Sequence, residues 1–236
     1  MIYRRCSTGM EWIDSIRSKG LTLDWWSART ANLTVQRNGV NQDDFSGPVP
    51  NTHWVLPNVL CGHTPNAMSI DQLKSLIDPN GAAVNVFICL DTDYNYRTDV
   101  RDIALTLHSP VHIRFLHCPA PDFGTLNDSV LAELVFTLEQ LANDTGNVIY
   151  LHCHGGHGRS TTVLANFLVA TKGFQLGDAL KMMKKCHSFR RNEHGRYCTY
   201  CDLHRGEFED PSQKEQAVRM EKVFQKHYCV GKFKMF

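Results

Sequence analysis

Val148-Ile149-Tyr150-Leu151-His152-Cys153-His154-Gly155-Gly156-His157-Gly158-Arg159-Ser160 is the stretch that decides how this chain is read. Its first four residues are apolar and read as a buried strand, and Thr161 to Leu168 beyond it read as a helix start. A strand feeding a Gly-rich loop feeding a helix builds an anion cradle, because the loop N–H groups and the helix N-terminus converge on one spot. Cys153 places a thiol in that cradle, and the surrounding dipoles favour its ionised form. Arg159 adds a guanidinium able to grip two oxygens of a phosphoryl group. Nucleophile and anion clamp in one loop predict phosphate-ester hydrolysis through a cysteinyl-phosphate.

His152-Cys153-x-x-Gly156-x-x-Arg159-Ser160 resembles the H-C-x-x-G-x-x-R-[S/T] signature of cysteine-based protein tyrosine phosphatases. The form C-x-G-G-x-G-R-S is most similar to the dual-specificity and kinase-associated branch. A chance Cys near a chance Arg accounts poorly for that pattern in a strand-loop-helix context. The chain departs from the family at Thr161, where Gly usually follows R-[S/T]. The resemblance implies catalytic roles for Cys153, Arg159 and Ser160, with the Ser160 hydroxyl stabilising the sulfur as a leaving group. It implies phosphoryl binding by His154, Gly155, Gly156, His157 and Gly158, and a loop-structuring role for His152. Phosphoinositide-specific relatives often carry Lys where His154 and His157 stand; imidazoles there would be weak, pH-dependent cations.

Expelling an alkoxide needs a proton donor. Pro119-Ala120-Pro121-Asp122-Phe123-Gly124 follows an expected strand over Val111–Leu116, at the same sheet end as Cys153. It is similar to the P-x-P-D-x-G loop of dual-specificity phosphatases, with Gly124 permitting a mobile turn. Asp122 is therefore the expected acid of the first step and base of the second. Asp91 and Asp93, at the end of an apolar strand over Val84–Leu90, are the competing acids. Cys89 and Cys118 are candidate partners for an oxidised Cys153, and Cys89 resembles a cysteine of tensin-related lipid phosphatases in its placement.

Working outward, Trp54–Leu60 reads as two short strands broken at Pro57-Asn58, similar to the family's opening strands. Ser69–Ile77 reads as a capped helix, with Gly81 beyond its end. Val130, Leu131, Leu134, Val135, Leu138 and Leu141 mark one helical face. Asp178 reads as a cap of the helix after the signature, and Ser212 with Glu215 as a capping box opening the last helix. In that helix the P-x-x-x-x-Q spacing of Pro211 and Gln216 resembles the family's final helix. Strands alternating with helices predict an α/β fold, a mostly parallel twisted sheet flanked by helices with the ligand loop at a strand's C-terminal end. The domain expectation is an N-terminal extension over 1–50, bounded by a turn-rich linker at 41–51, and a catalytic domain over 51–236. That domain carries a Cys/His insertion at about 187–210. There His194, Cys198, Cys201 and His204 could hold zinc, though reduced thiols in a surface insertion fit the compact spacing better. From Lys181 to Arg205, seven Lys or Arg face only Glu193 and Asp202, a basic stretch suited to an acidic substrate or to solvent.

Hydrophobic content of 42% and charged content of 21% suit a globular chain, and a net charge of +1 gives no general pull toward nucleic acid or anionic membrane. No apolar run is long enough for a spanning helix. The N-terminus lacks the apolar core of a secretory signal, so nine cysteines predict reduced thiols in a cytosolic or nuclear compartment. The expected activity is a metal- and cofactor-independent phosphatase acting on phosphotyrosine, phosphoserine or phosphothreonine of a protein partner. The alternatives are a phosphoinositide or RNA 5′-phosphate phosphatase with the same mechanism, and an inactive phosphate-binding module.

Overall fold

In the computed structural model the described residues are 45–107, 112–196, 208 and 210–232, with side chains described up to 225. Most of the expected N-terminal extension lies outside them, as do Val111 and three of the four candidate zinc donors, Cys198, Cys201 and His204. Among the described residues no group of three metal-ligating side chains gathers, and no helix is long and apolar enough to cross a membrane.

The strands are β1 (Thr52–Leu56), β2 (Val59–Gly62), β3 (Val86–Cys89), β4 (Arg114–His117) and β5 (Ile149–His152). They form one sheet in the order β1-β2-β5-β3-β4, with only β1 antiparallel to its neighbour. The Pro57-Asn58 turn joins β1 to β2. The buried Asn58 amide donates to the carbonyls of Ala142 and Asn147, fastening that turn to the start of β5. Residues before β1 fold back on it: the Trp54 N–H donates to the Phe45 carbonyl, and Ser46 bridges His53.

Helices cover both faces, as hydrophobic runs in parallel strands require. On one side lie α1 (Ile70–Ile77) and α2 (Arg97–Thr106), packing Leu73, Leu76, Val100 and Ile103 against Leu60, Phe87 and Tyr150. On the other lie α3 (Asp128–Asn143), α4 (Gly158–Lys172), α5 (Leu176–His187) and α6 (Pro211–Lys232), packing on Val55, Cys61, Ile88 and Leu151. Ser69 caps α1 in a full capping box with Gln72. In α3 the face of Leu131, Leu134, Val135 and Leu138 is buried, but Val130 turns out to solvent at 39% exposure. One expected cap stays near its place and one shifts. Gln175 precedes α5, with Asp178 inside the first turn bonded to Lys181, and Asp210 accepts the Ser212 N–H at the start of α6. At α6 the Asp210 carboxylate sits where the free N–H groups and the helix dipole favour negative charge.

Candidate active site

Gly62, His152, Cys89 and His117 lie in one row across the sheet, each the last residue of its parallel strand. The four segments that follow this row converge at one sheet end and build the site. Cys153 directly follows β5 and is 2% exposed; its Sγ accepts the Gly156 N–H at 3.1 Å. Gly156 has φ +73°, and a Cβ there would meet the Gly62 carbonyl oxygen at 2.3 Å. Only glycine lets the loop rest on the end of β2 in this conformation. The Thr64 N–H, donating to the His154 carbonyl at 2.8 Å, ties the loop to the continuation of β2. Gly62 was not singled out in the sequence, where a glycine at a strand end signals only a turn.

Arg159 extends back along the mouth and is 4% exposed. Its Nη1 donates to the Ala120 carbonyl at 3.0 Å, and at 3.5 Å to the Leu90 carbonyl and to Asp91 Oδ1. Its Nη2 donates to Asp122 Oδ1 at 2.8 Å. The loops after β3 and β4 thus hold one edge of the guanidinium, and Nη2 faces the acid loop. The three candidate acids separate by placement. The Asp122 side chain is 66% exposed at the mouth. Asp91 is buried and bridges Arg159 to His154, whose Nδ1 lies 3.2 Å from Oδ2, so it orients the clamp. Asp93 is exposed and accepts the Asn95 N–H in a local turn.

The acid loop closes with the Gly124 N–H donating to the Pro121 carbonyl at 2.9 Å. Its left-handed residue is Phe123, φ +56°, rather than Gly124. A β-carbon in that conformation carries strain, and buried Gln213 of α6 bonds the loop beside it while Gln216 bonds the start of α3. Gln213 Nε2 donates to the Gly124 carbonyl at 3.3 Å, and Gln216 Nε2 reaches Asp128 Oδ1 at 2.8 Å. The Phe123 ring is half exposed beside Asp122.

Around the loop, burial pushes His152 down to about 4, so its ring is neutral at physiological pH. Nδ1 sits 3.2 Å from the Cys153 carbonyl and Nε2 2.7 Å from the Tyr96 hydroxyl, consistent with Nδ1 donating and Nε2 accepting. Tyr96, buried ahead of α2, is a loop support that no local motif announces. His154 projects to solvent. His157 does not: its ring is buried behind the loop against His187, with centroids 5.0 Å apart. The Ser160 hydroxyl is wholly buried and makes no hydrogen bond to Cys153 Sγ, lying instead beside the Cys61 thiol. Thr161 is buried and continues α4 with its N–H on the His157 carbonyl. Cys89 packs in the core opposite to that of Cys153, its thiol turned to the Asp91 and Asp93 carbonyls, whereas Cys61 shares the Cys153 core. Burial pushes both Cys61 and Cys89 up to about 12. Cys118 is only partly buried, and burial raises it too.

A family model described as the DSP-PTPase phosphatase domain of the Swiss Army Knife proteins matches residues 49–197. Protein 067L of Invertebrate iridescent virus 3, whose name assigns it as a tyrosine phosphatase, is 49% identical over 47 residues; that match spans 20% of each chain. Among solved structures, Tk-PTP in the active form aligns with TM-score 0.53 at 20% identity, over 73% of this chain and 97% of its own. PTPMT1 in complex with PI(5)P gives TM-score 0.53 at 19% identity, over 75% and 99%. Kinase associated phosphatase, with its catalytic cysteine replaced by serine, gives 0.51 at 14%, over 71% and 87%. At these identities the structures show the shared fold.

Proposed function

The chain belongs to the DSP-PTPase phosphatase-domain family, and on that premise we propose that it hydrolyses phosphotyrosine and phosphoserine or phosphothreonine esters of proteins through Cys153. Cys153 Sγ attacks phosphorus in line with the ester oxygen. The P–O bond breaks as the S–P bond forms, and Asp122 gives its proton to the departing oxygen. Arg159 and the loop N–H groups hold the equatorial oxygens. Water, losing a proton to Asp122, then attacks phosphorus; the S–P bond breaks, inorganic phosphate leaves and the thiolate returns. Ser160 would turn its hydroxyl toward the sulfur at this second departure.

The observation that carries the reading is the convergence, beyond one row of strand ends, of a loop-cradled thiol, a buried guanidinium and an exposed carboxylate paired to it. Protein esters suit the mouth best. Apart from Arg159, the signature loop offers one exposed cation candidate, His154, and the acid beside it stands next to an exposed aryl ring. A polyanionic inositide headgroup calls for more fixed positive charge. The test is turnover on phosphotyrosine peptides, phosphothreonine peptides, soluble inositides and triphosphate-ended RNA. Preference for the peptides is expected. Preference for inositide or RNA replaces the substrate class, and phosphate binding without turnover makes the chain a binding module.

A further inference from the structure

Arg190 is the largest wholly buried side chain of the described residues, at 1% exposure. It stands on the far side of the signature loop from the phosphoryl position. Its Nη2 donates to the Gly155 carbonyl at 2.7 Å, and Nη1 lies 3.4 Å from the Gly156 carbonyl. Nη1 also lies 3.4 Å from Nε2 of His157 and 3.4 Å from Nε2 of His187. The His53 ring stacks edge-on against His187 at 4.9 Å, completing the cluster. Among the described residues no carboxylate pairs with Arg190.

A buried guanidinium is ordinarily neutralised by Asp or Glu, because an uncompensated interior charge is costly. Here its partners are backbone carbonyls and imidazoles. Burial and the guanidinium push His187 down to about 2 and hold His53 well below the ordinary range. Imidazole nitrogens of His157 and His187 accept hydrogen bonds from the guanidinium without cancelling the charge. Among the described residues the guanidinium therefore has no carboxylate partner behind a loop whose front binds an anion. The bonds also fix direction: carbonyls of Gly155 and Gly156 turned to Arg190 leave the adjoining peptide N–H groups turned the other way, as Gly156 N–H on Cys153 Sγ shows for one.

We propose that Arg190 is a positioning residue for the phosphoryl site, orienting the 155–156 peptides and supplying, with His157 and His187 as its hydrogen-bond acceptors, a positive charge that the bound anion compensates. The inference rests on reading the loop as the phosphoryl site and extends it to residues outside the signature.

The experiment uses the full chain carrying Cys153→Ser and measures inorganic phosphate binding by calorimetry alongside thermal stability. Arg190→Met should weaken binding by about tenfold or more, and Arg190→Lys should recover a substantial part through its charge. His187→Gln keeps an acceptor and should bind within about threefold of its parent. His187→Glu leaves Arg190 in place but neutralises it; it should be more stable than His187→Gln yet bind phosphate about tenfold more weakly. A merely structural Arg190 would move stability and binding together. Equal phosphate binding by folded Arg190→Met, or by His187→Glu and His187→Gln, overturns the inference. So does a His187→Glu chain that fails to fold where His187→Gln folds, since a buried carboxylate should find its counterion there. If neither His187 variant nor Arg190→Met folds, Arg190→Lys decides: phosphate affinity within about threefold of the parent, despite the lost fork, is required. Absence of phosphate binding in the parent itself would instead strike the functional reading.

Discussion

Asp122→Asn should separate two roles that the structure gives to one carboxylate. Asp122 Oδ1 occupies Arg159 Nη2 at 2.8 Å, so an incoming phosphoryl group must displace it from the clamp. The arginine is buried but the aspartate side chain is 66% exposed, which discounts the pair to about 0.5–1 kcal/mol. Removing that competition tightens phosphate binding about two- to fivefold, since 1.4 kcal/mol is tenfold. Chemistry moves the other way. Without a proton donor, turnover on phosphoserine peptides should fall by about 10²–10⁴, and far less on p-nitrophenyl phosphate, whose leaving group departs unaided. The alkaline limb of the pH profile should flatten, because it reports loss of the acid's proton. The assays are steady-state kinetics on both substrates and calorimetric phosphate binding. Turnover on phosphoserine peptide within threefold of the parent, or weakened phosphate binding, would refute the reasoning. A leaving-group-dependent loss in Asp91→Asn instead would move the acid to Asp91.

Arg159→Lys should lose at least about tenfold in turnover, measured on either substrate, because a point ammonium cannot span Asp91 and two carbonyls while gripping phosphate. Gly156→Ala should abolish phosphate binding in calorimetry and lower the urea midpoint, since its Cβ would fall 2.3 Å from the Gly62 oxygen at φ +73°. His63, His152 and His187, held at about 3, 4 and 2, stay neutral in the fold while the unfolded chain takes up protons below about pH 6.5. Between pH 6.5 and 4 the unfolded state binds more protons, so stability falls on acidification by about 1.4 kcal/mol per pH unit for each histidine. Urea midpoints at pH 7 and 5 test this, and an unchanged midpoint contradicts it. Peroxide should inactivate the enzyme, but Cys89 should be a slow rescuer: a thiol held at about 12 is ionised about one part in 10⁵ at neutral pH. Peptide mapping for a Cys153–Cys89 crosslink checks it.

Strands and helices were legible where one local pattern decided them. The apolar run before Cys153, the Ser69 cap and the α3 face each carry their own signal. The cap of α6 was misplaced because Ser212 and Asp210 both offer oxygens, and only the chain's entry angle selects between them. At the site, the signature and the acid loop announce themselves by spacing. Tyr96, Gly62, Gln213 and Arg190 do not, because their roles arise where distant segments meet. Arg190 lay hidden within a basic stretch whose average suggested an acidic substrate or solvent. Likewise, His157 sits in the loop at a position that could face either the mouth or the core, and tertiary packing turned it inward.

On the proposed mechanism, turnover passes through a phosphoryl group on Cys153. Acid-quenched turnover of a ³²P-labelled phosphotyrosine peptide, followed by proteolysis and mapping, tests it most directly. Label is expected on the peptide containing Cys153 in the parent, more of it when Asp122→Asn slows hydrolysis of the intermediate, and none in Cys153→Ser, which should not turn over. Label on another residue, or sustained turnover by Cys153→Ser, would contradict it.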